Sequence, residues 1–202
     1  MSVIPTPAQA MELVARYNQE EFHLHHARTV GWVLGELAKV HDPGREEFWQ
    51  AVGILHDIDF EQWPEEHCKK AQQLLTELDI DPEVIHGVVC HGYGLCSDVK
   101  PESLMEKYLF AADEFTGLIG AAALMRPTGF EGMEVKSVMK KFKDKKFAAG
   151  CSREVISQGA QELGITVQEL AAEILPAMQA MDEQWDKGKF SQKNLKICCN
   201  SG

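Results

Sequence analysis

The apolar residues of this chain recur at spacings of three and four along nearly its whole length, and no stretch alternates as a half-buried strand requires. That periodicity confines the fold to packed helices. Thr6-Pro7 offers an N-cap with proline at the first helical position, opening a helix over Ala8–Tyr17. A long amphipathic helix is predicted over Glu21–Val40, with His26, Val30, Val33 and Leu37 on one face, and Asp42-Pro43-Gly44 ends it. A third helix over Arg45–Ile58 turns Phe48, Ala51, Val52 and Leu55 inward. Pro64 starts a fourth helix, to Leu78, and Pro82 a fifth, to His91, before the turn Gly92-Tyr93-Gly94. Pro101 opens an apolar sixth helix that Arg126-Pro127 closes. A capped helix begins near Ser152, and Thr166 with Glu169 makes a capping-box pattern for the last one. The expected fold is an all-α bundle: a helical core over 1–127, a helical extension over 128–190 packed on it, and a flexible tail over 191–202.

At 202 residues the chain suits one good-sized domain, or one domain and a small appendage. Its formal charge of −11 argues against a nucleic-acid polymer as partner, which would need a basic footprint. A small phosphorylated molecule in a locally positive pocket stays open. No charged-then-apolar leader opens the chain. The longest apolar stretch, Tyr108–Met125, carries Asp113 and Glu114, which a bilayer helix would resist. The expectation is therefore a cytoplasmic protein with no membrane partner. Its six cysteines are read as reduced thiols, with Cys198 and Cys199 in a frayed terminus. No feature of the sequence encodes an oligomeric state.

The chemistry centres on His56-Asp57, which ends an apolar helix between Leu55 and Ile58. An ionised carboxylate buried there is costly without a partner. A metal cation resolves the cost, and histidine with aspartate suits zinc, iron or manganese. His26 lies on the inward face of its helix, and Asp113 sits inside the most apolar helix of the chain, where a carboxylate needs a reason. His67 and His91 follow at the start and end of later helices. A similar dipeptide, His41-Asp42, stands beside a proline-glycine turn and reads as loop surface.

The order of His26 in "HARTV", His56-Asp57 in "GILHDID" and Asp113 in "LFAADEFTGL" resembles the HD-domain superfamily of metal-dependent phosphohydrolases. His67 in "PEEHCKKAQQLL" and His91 in "VVCHG" resemble the two additional histidines of its binuclear branch. The later "VKSVMKKFKDKKFAAG" is similar to a segment of a bacterial subgroup of predicted HD hydrolases. The resemblance covers about residues 20–120. It implies that His26, His56, Asp57 and Asp113 hold one divalent transition metal, and that Asp57 bridges to a second, held with His67 and His91. It further implies hydrolysis of a phosphate mono- or diester, such as a nucleotide, by a metal-activated hydroxide, with His56 and Asp57 as the catalytic pair.

One departure bears on that expectation. Many family members continue the His-Asp pair with glycine and lysine, whereas this chain has Ile58, Asp59 and Phe60. Asp59 would then bring negative charge to where an anionic substrate arrives. The four histidines and two aspartates also resemble the mixed-valent di-iron oxygenases of the same superfamily. A non-catalytic regulatory domain with a structural metal is a third class. Candidate substrate contacts are His23, one turn before His26, together with Arg126, Lys140 and Lys141. The last two belong to a run of six lysines between Lys136 and Lys146, either a solvated face or a lid.

Overall fold

The computed structural model describes residues 2–183; the expected tail, with Cys198 and Cys199, lies outside the described residues. Among the described residues the chain is all-α, with two isolated β-bridges and no strand. It divides into two compact units between Phe110 and Ala111.

The first unit is built on helices α1 (Pro7–Tyr17), α2 (Glu21–His41), α3 (Glu46–Leu55), α4 (Lys69–Glu77) and α5 (Pro82–Cys90) and the opening turns of α6 (Leu104–Leu124). The starts follow local chemistry. Thr6 and Gln9 close a capping box on α1, and the Asp81 carboxylate accepts from the Glu83 N–H ahead of α5. The anticipated inward faces are buried: Val30, Val33 and Leu37 on α2, and Phe48, Ala51, Val52 and Leu55 on α3. Full burial of an aliphatic side chain contributes about 1.5–3 kcal/mol relative to exposure, so this seam anchors the unit.

Helices α2 and α3 cross at two glycines. A Cβ on Gly53 would stand 2.9 Å from the Gly31 Cα, and one on Gly31 would stand 2.5 Å from Ile54 Cγ1. Only glycine allows backbones this close.

Three local expectations need correction. Helix α3 ends at Leu55, and residues 56–62 form turns rather than continuing to Ile58. The predicted helix from Pro64 to Leu78 is instead a 3-10 turn, Pro64–Glu66, and a separate α4. The break falls at Cys68, whose φ of 65° lies in the left-handed region. His41-Asp42 is not loop surface. The His41 Nε2 lies 2.9 Å from the Tyr108 hydroxyl, and Asp42 accepts a 2.9 Å hydrogen bond from the Trp49 indole N–H.

The second unit holds the rest of α6 with α7 (Val135–Lys143), α8 (Arg153–Glu162) and α9 (Val167–Met181). Ser152 caps α8, and Thr166 with Glu169 closes the capping box of α9. Helix α8 meets α6 where a Cβ on Gly159 would stand 2.5 Å from that of Ala111. The Arg153 guanidinium donates to the carbonyls of Phe142, Ala148 and Cys151 and so gathers the connection between α7 and α8.

Candidate metal centre

His26, His56, Asp57, His67 and His91 come together in the first unit. The close α2–α3 crossing sets His26, five residues past which Gly31 lies, against His56, which follows Gly53 by three. His56 keeps α-helical dihedrals as the C-cap of α3. The turns after it are fastened to the junction of α1 and α2. Asn18 Nδ2 donates to the Ile58 carbonyl at 2.9 Å, and Glu61 accepts the Gln19 and Glu20 N–H groups at 2.8 and 3.0 Å. Glu61 thereby caps α2, whose own N-cap residue supplies no side-chain bond.

The geometry has two halves that share one carboxylate. On one side Asp57 Oδ2 lies 3.3 Å from His56 Nε2 and 3.7 Å from His26 Nε2, and those nitrogens are 3.2 Å apart. On the other side Asp57 Oδ1 lies 3.5 Å from His67 Nε2 and 3.6 Å from His91 Nε2, with the nitrogens 3.1 Å apart. Donor atoms about 2.1 Å from a cation stand about 3.0 Å apart in octahedral and about 3.4 Å apart in tetrahedral coordination. Both halves match that spacing.

The hydrogen bonds fix the ring protons. His56 Nδ1 faces the Gly53 carbonyl at 2.7 Å and His91 Nδ1 faces the Val88 carbonyl at 2.5 Å. His67 Nδ1 faces Asp59 Oδ1 at 2.8 Å. A carbonyl or carboxylate oxygen only accepts, so each of these Nδ1 atoms carries a hydrogen. In the neutral rings the Nε2 atoms then hold bare lone pairs. Two lone pairs 3.1 Å apart, as on His67 and His91, repel unless a proton or a metal cation lies between them. The cluster could hold a metal ion.

No protein-family model, characterised protein or solved structure matches this chain. The chemistry of the site therefore stands on its own residues.

Asp59 departs most from the sequence expectation. Instead of meeting an incoming anion it is fully buried behind His67. Its second oxygen accepts the Ala71 N–H at 2.8 Å, at the start of α4. It orients the imidazole and complements the helix N-terminus. His67 is not a first-turn helical residue; it lies between the 3-10 turn and α4. Its ring is held edge-on by Phe60, at 5.0 Å between centroids.

Electrostatics follow from this packing. Burial raises the Asp57 carboxyl, but the neighbouring His56, His91 and His67 outweigh it and hold the group well below the ordinary carboxylate range. Burial lowers His67, yet the hydrogen bond to Asp59 and the charges of Asp57 and Asp59 raise it to about 9.

The remaining candidates are placed as follows. His23 borders the cluster, its ring 5.8 Å from that of Phe60. His86, outside the predicted set, is hydrogen-bonded to Glu106 at 2.6 Å. Asp113 is partly buried on α6 in the second unit, where its carbonyl accepts from the Thr116 hydroxyl. Arg126 donates to the Gly129 and Glu131 carbonyls at 2.9 and 2.8 Å and closes its own turn. Lys140 is exposed, and Lys141 Nζ lies 4.4 Å over the Phe147 ring.

Two cysteines also border the centre, a feature that spacing alone does not signal. Cys68 and Cys96 bring their sulfurs to 3.0 Å of each other. The hydrogen bond from Cys68 holds the Cys96 thiol low, at about 6, and pushes the Cys68 thiol up.

Proposed function

We propose that this chain is a binuclear metal-dependent phosphohydrolase that cleaves a small phosphate mono- or diester. The observation that supports it most is the division of Asp57, one oxygen toward each histidine pair, with the ring protons of His56, His67 and His91 committed on their far sides. A bridging carboxylate suits metals about 3.5–4 Å apart. His26, His56 and Asp57 would hold one ion, and Asp57, His67 and His91 the other. The resemblance adds Asp113 as a further ligand. Iron, manganese and zinc all suit this donor set.

Such ions supply a water of lowered pKa and neutralise the oxygens of a phosphoryl group. The chain's own part is to fix their holders. Gly53, Val88 and Asp59 keep three imidazoles in the tautomer whose Nε2 points inward. The burial of Asp59 removes the main electrostatic objection to an anionic substrate, since its charge lies behind His67 and is matched by that ring and by the Ala71 N–H.

Metal content and turnover test the proposal together. Anaerobically purified protein should carry close to two metals per chain and hydrolyse at least one member of a phosphoester panel. Asp57→Ala should lose both metal and turnover. Full activity in that variant would end the proposal. Oxygen consumption with an iron EPR signal, and no phosphoester turnover, would replace it with a di-iron oxygenase.

A further inference from the structure

The two thiols beside the His67–His91 half have a geometry of their own. Cys68 and Cys96 Sγ stand 3.0 Å apart, roughly 1 Å more than the 2.03–2.05 Å of a disulfide. Gly92 makes the room. A Cβ there would lie 2.3 Å from Cys96 Sγ and 2.5 Å from Cys68 Sγ, so both sulfurs occupy the volume any other residue would fill. Cys68 holds φ 65° and ψ −43°, a conformation that disfavours any side chain. That rare conformation falls at the residue whose sulfur meets Cys96. Cys68 is buried and Cys96 is partly exposed, in the turn whose Cys96 N–H donates to the Gly92 carbonyl at 3.0 Å. Of the pair, Cys96 is the residue with solvent exposure.

We propose that Cys68 and Cys96 form a redox modification site, oxidised by a hydroperoxide to a disulfide that joins the segment bearing His67 to the one bearing His91. The chemistry balances in two steps. The Cys96 sulfur attacks the peroxide O–O bond, giving a sulfenic acid and one water from hydrogen peroxide. The Cys68 sulfur then attacks the Cys96 sulfur, forms the S–S bond and expels the sulfenic oxygen as a second water. The two thiol hydrogens leave in the waters, and two electrons pass from the sulfurs to the peroxide oxygens. Disulfide formation needs only the thiol pair. Its effect on metal exchange at His67 and His91 rests on the metal reading above.

The test treats the full chain, as purified, with about one equivalent of hydrogen peroxide and maps the peptides without reduction. The expected result is a mass loss of two hydrogens, a Cys68–Cys96 linked peptide, and a thiol count lower by two. Cys90→Ser should behave as the unaltered protein. Cys68→Ser should leave a sulfenic acid on Cys96 that dimedone traps, and Cys96→Ser should give neither product. Circular dichroism confirms that each variant is folded. Over-oxidation of Cys96 without the linked peptide, linkage to Cys198 or Cys199 instead, or thiols that stay unoxidised would overturn the proposal. Repeating the mapping after chelation separates it from the metal reading, because the linked peptide is expected with or without metal.

Discussion

Asp59→Asn is the sharpest test of how the centre is held, because it changes one oxygen to an amide and little else. The asparagine can still accept the Ala71 N–H through its oxygen. Its amide nitrogen would then face His67 Nδ1, donor against donor, where the carboxylate now accepts at 2.8 Å. The imidazole can relieve the clash only by moving its proton to Nε2, the atom aimed at Asp57 Oδ1. Either way His67 loses its inward lone pair. Loss of such a partner behind a ligand costs about 10–100-fold in metal affinity, or about 1.4–2.7 kcal/mol. The assay is a competitive chelator titration of apo protein, resolved into two sites. The site built on His67 and His91 should weaken by that factor. The site built on His26 and His56 should weaken less than that one, because Asp59 touches only His67 and reaches the other half solely through the shared Asp57. A thermal melt checks that the variant is folded. Wild-type affinity at both sites would refute the role assigned to Asp59.

Three further outcomes are expected. Gly53→Ala should lower stability by about 1–3 kcal/mol in urea unfolding, since its Cβ meets the Gly31 backbone rather than a yielding side chain; an unchanged midpoint would show that the crossing tolerates separation. Removing metal should lower the Tm by roughly 5–11 °C for each site that had been held at a hundredfold its dissociation constant, read by calorimetry with and without chelator. Burial raises the Glu106 carboxyl, but the Ser103 and Glu102 N–H groups and His86 hold it below its usual value. Its contribution is therefore present above about pH 4.5 and is lost as pH falls through the depressed folded value. Glu106→Gln should flatten the acid limb of a stability–pH curve, and an identical limb would exclude Glu106 as its source.

What the sequence discloses is what local chemistry decides. Thr6, Ser152 and Thr166 mark helix starts because each cap bonds within its own first turn, and Pro82 does so because its fixed φ suits the first helical position, behind the Asp81 cap. His26 and His56 are legible because each stands at the edge of a helical apolar stripe. The break at His67-Cys68 is not legible, since no propensity assigns cysteine to the left-handed region. It exists because His67 is drawn to Asp59 and Cys68 to Cys96. The role of Asp59 was hidden for the same reason. Its two partners, His67 and Ala71, become neighbours only when the turns after α3 fold back on the start of α4. The approach of Gly31 to Gly53 is likewise a tertiary fact, written in two residues that each look like a helix weakness.

That glycine crossing also bears on time. Where α2 and α3 touch backbone to backbone, His26 stands within the long α2 and His56 caps α3, both beside a buried crossing. His67 stands on a short stretch between a 3-10 turn and α4, and Asp59 is its chief hold. In the proposed centre the half beside the helix crossing would be the more firmly built holder, and the His67 half would depend on the single carboxylate of Asp59. Stopped-flow loading should then show two phases, the fast one at the His26 and His56 half and the slow one at the His67 half.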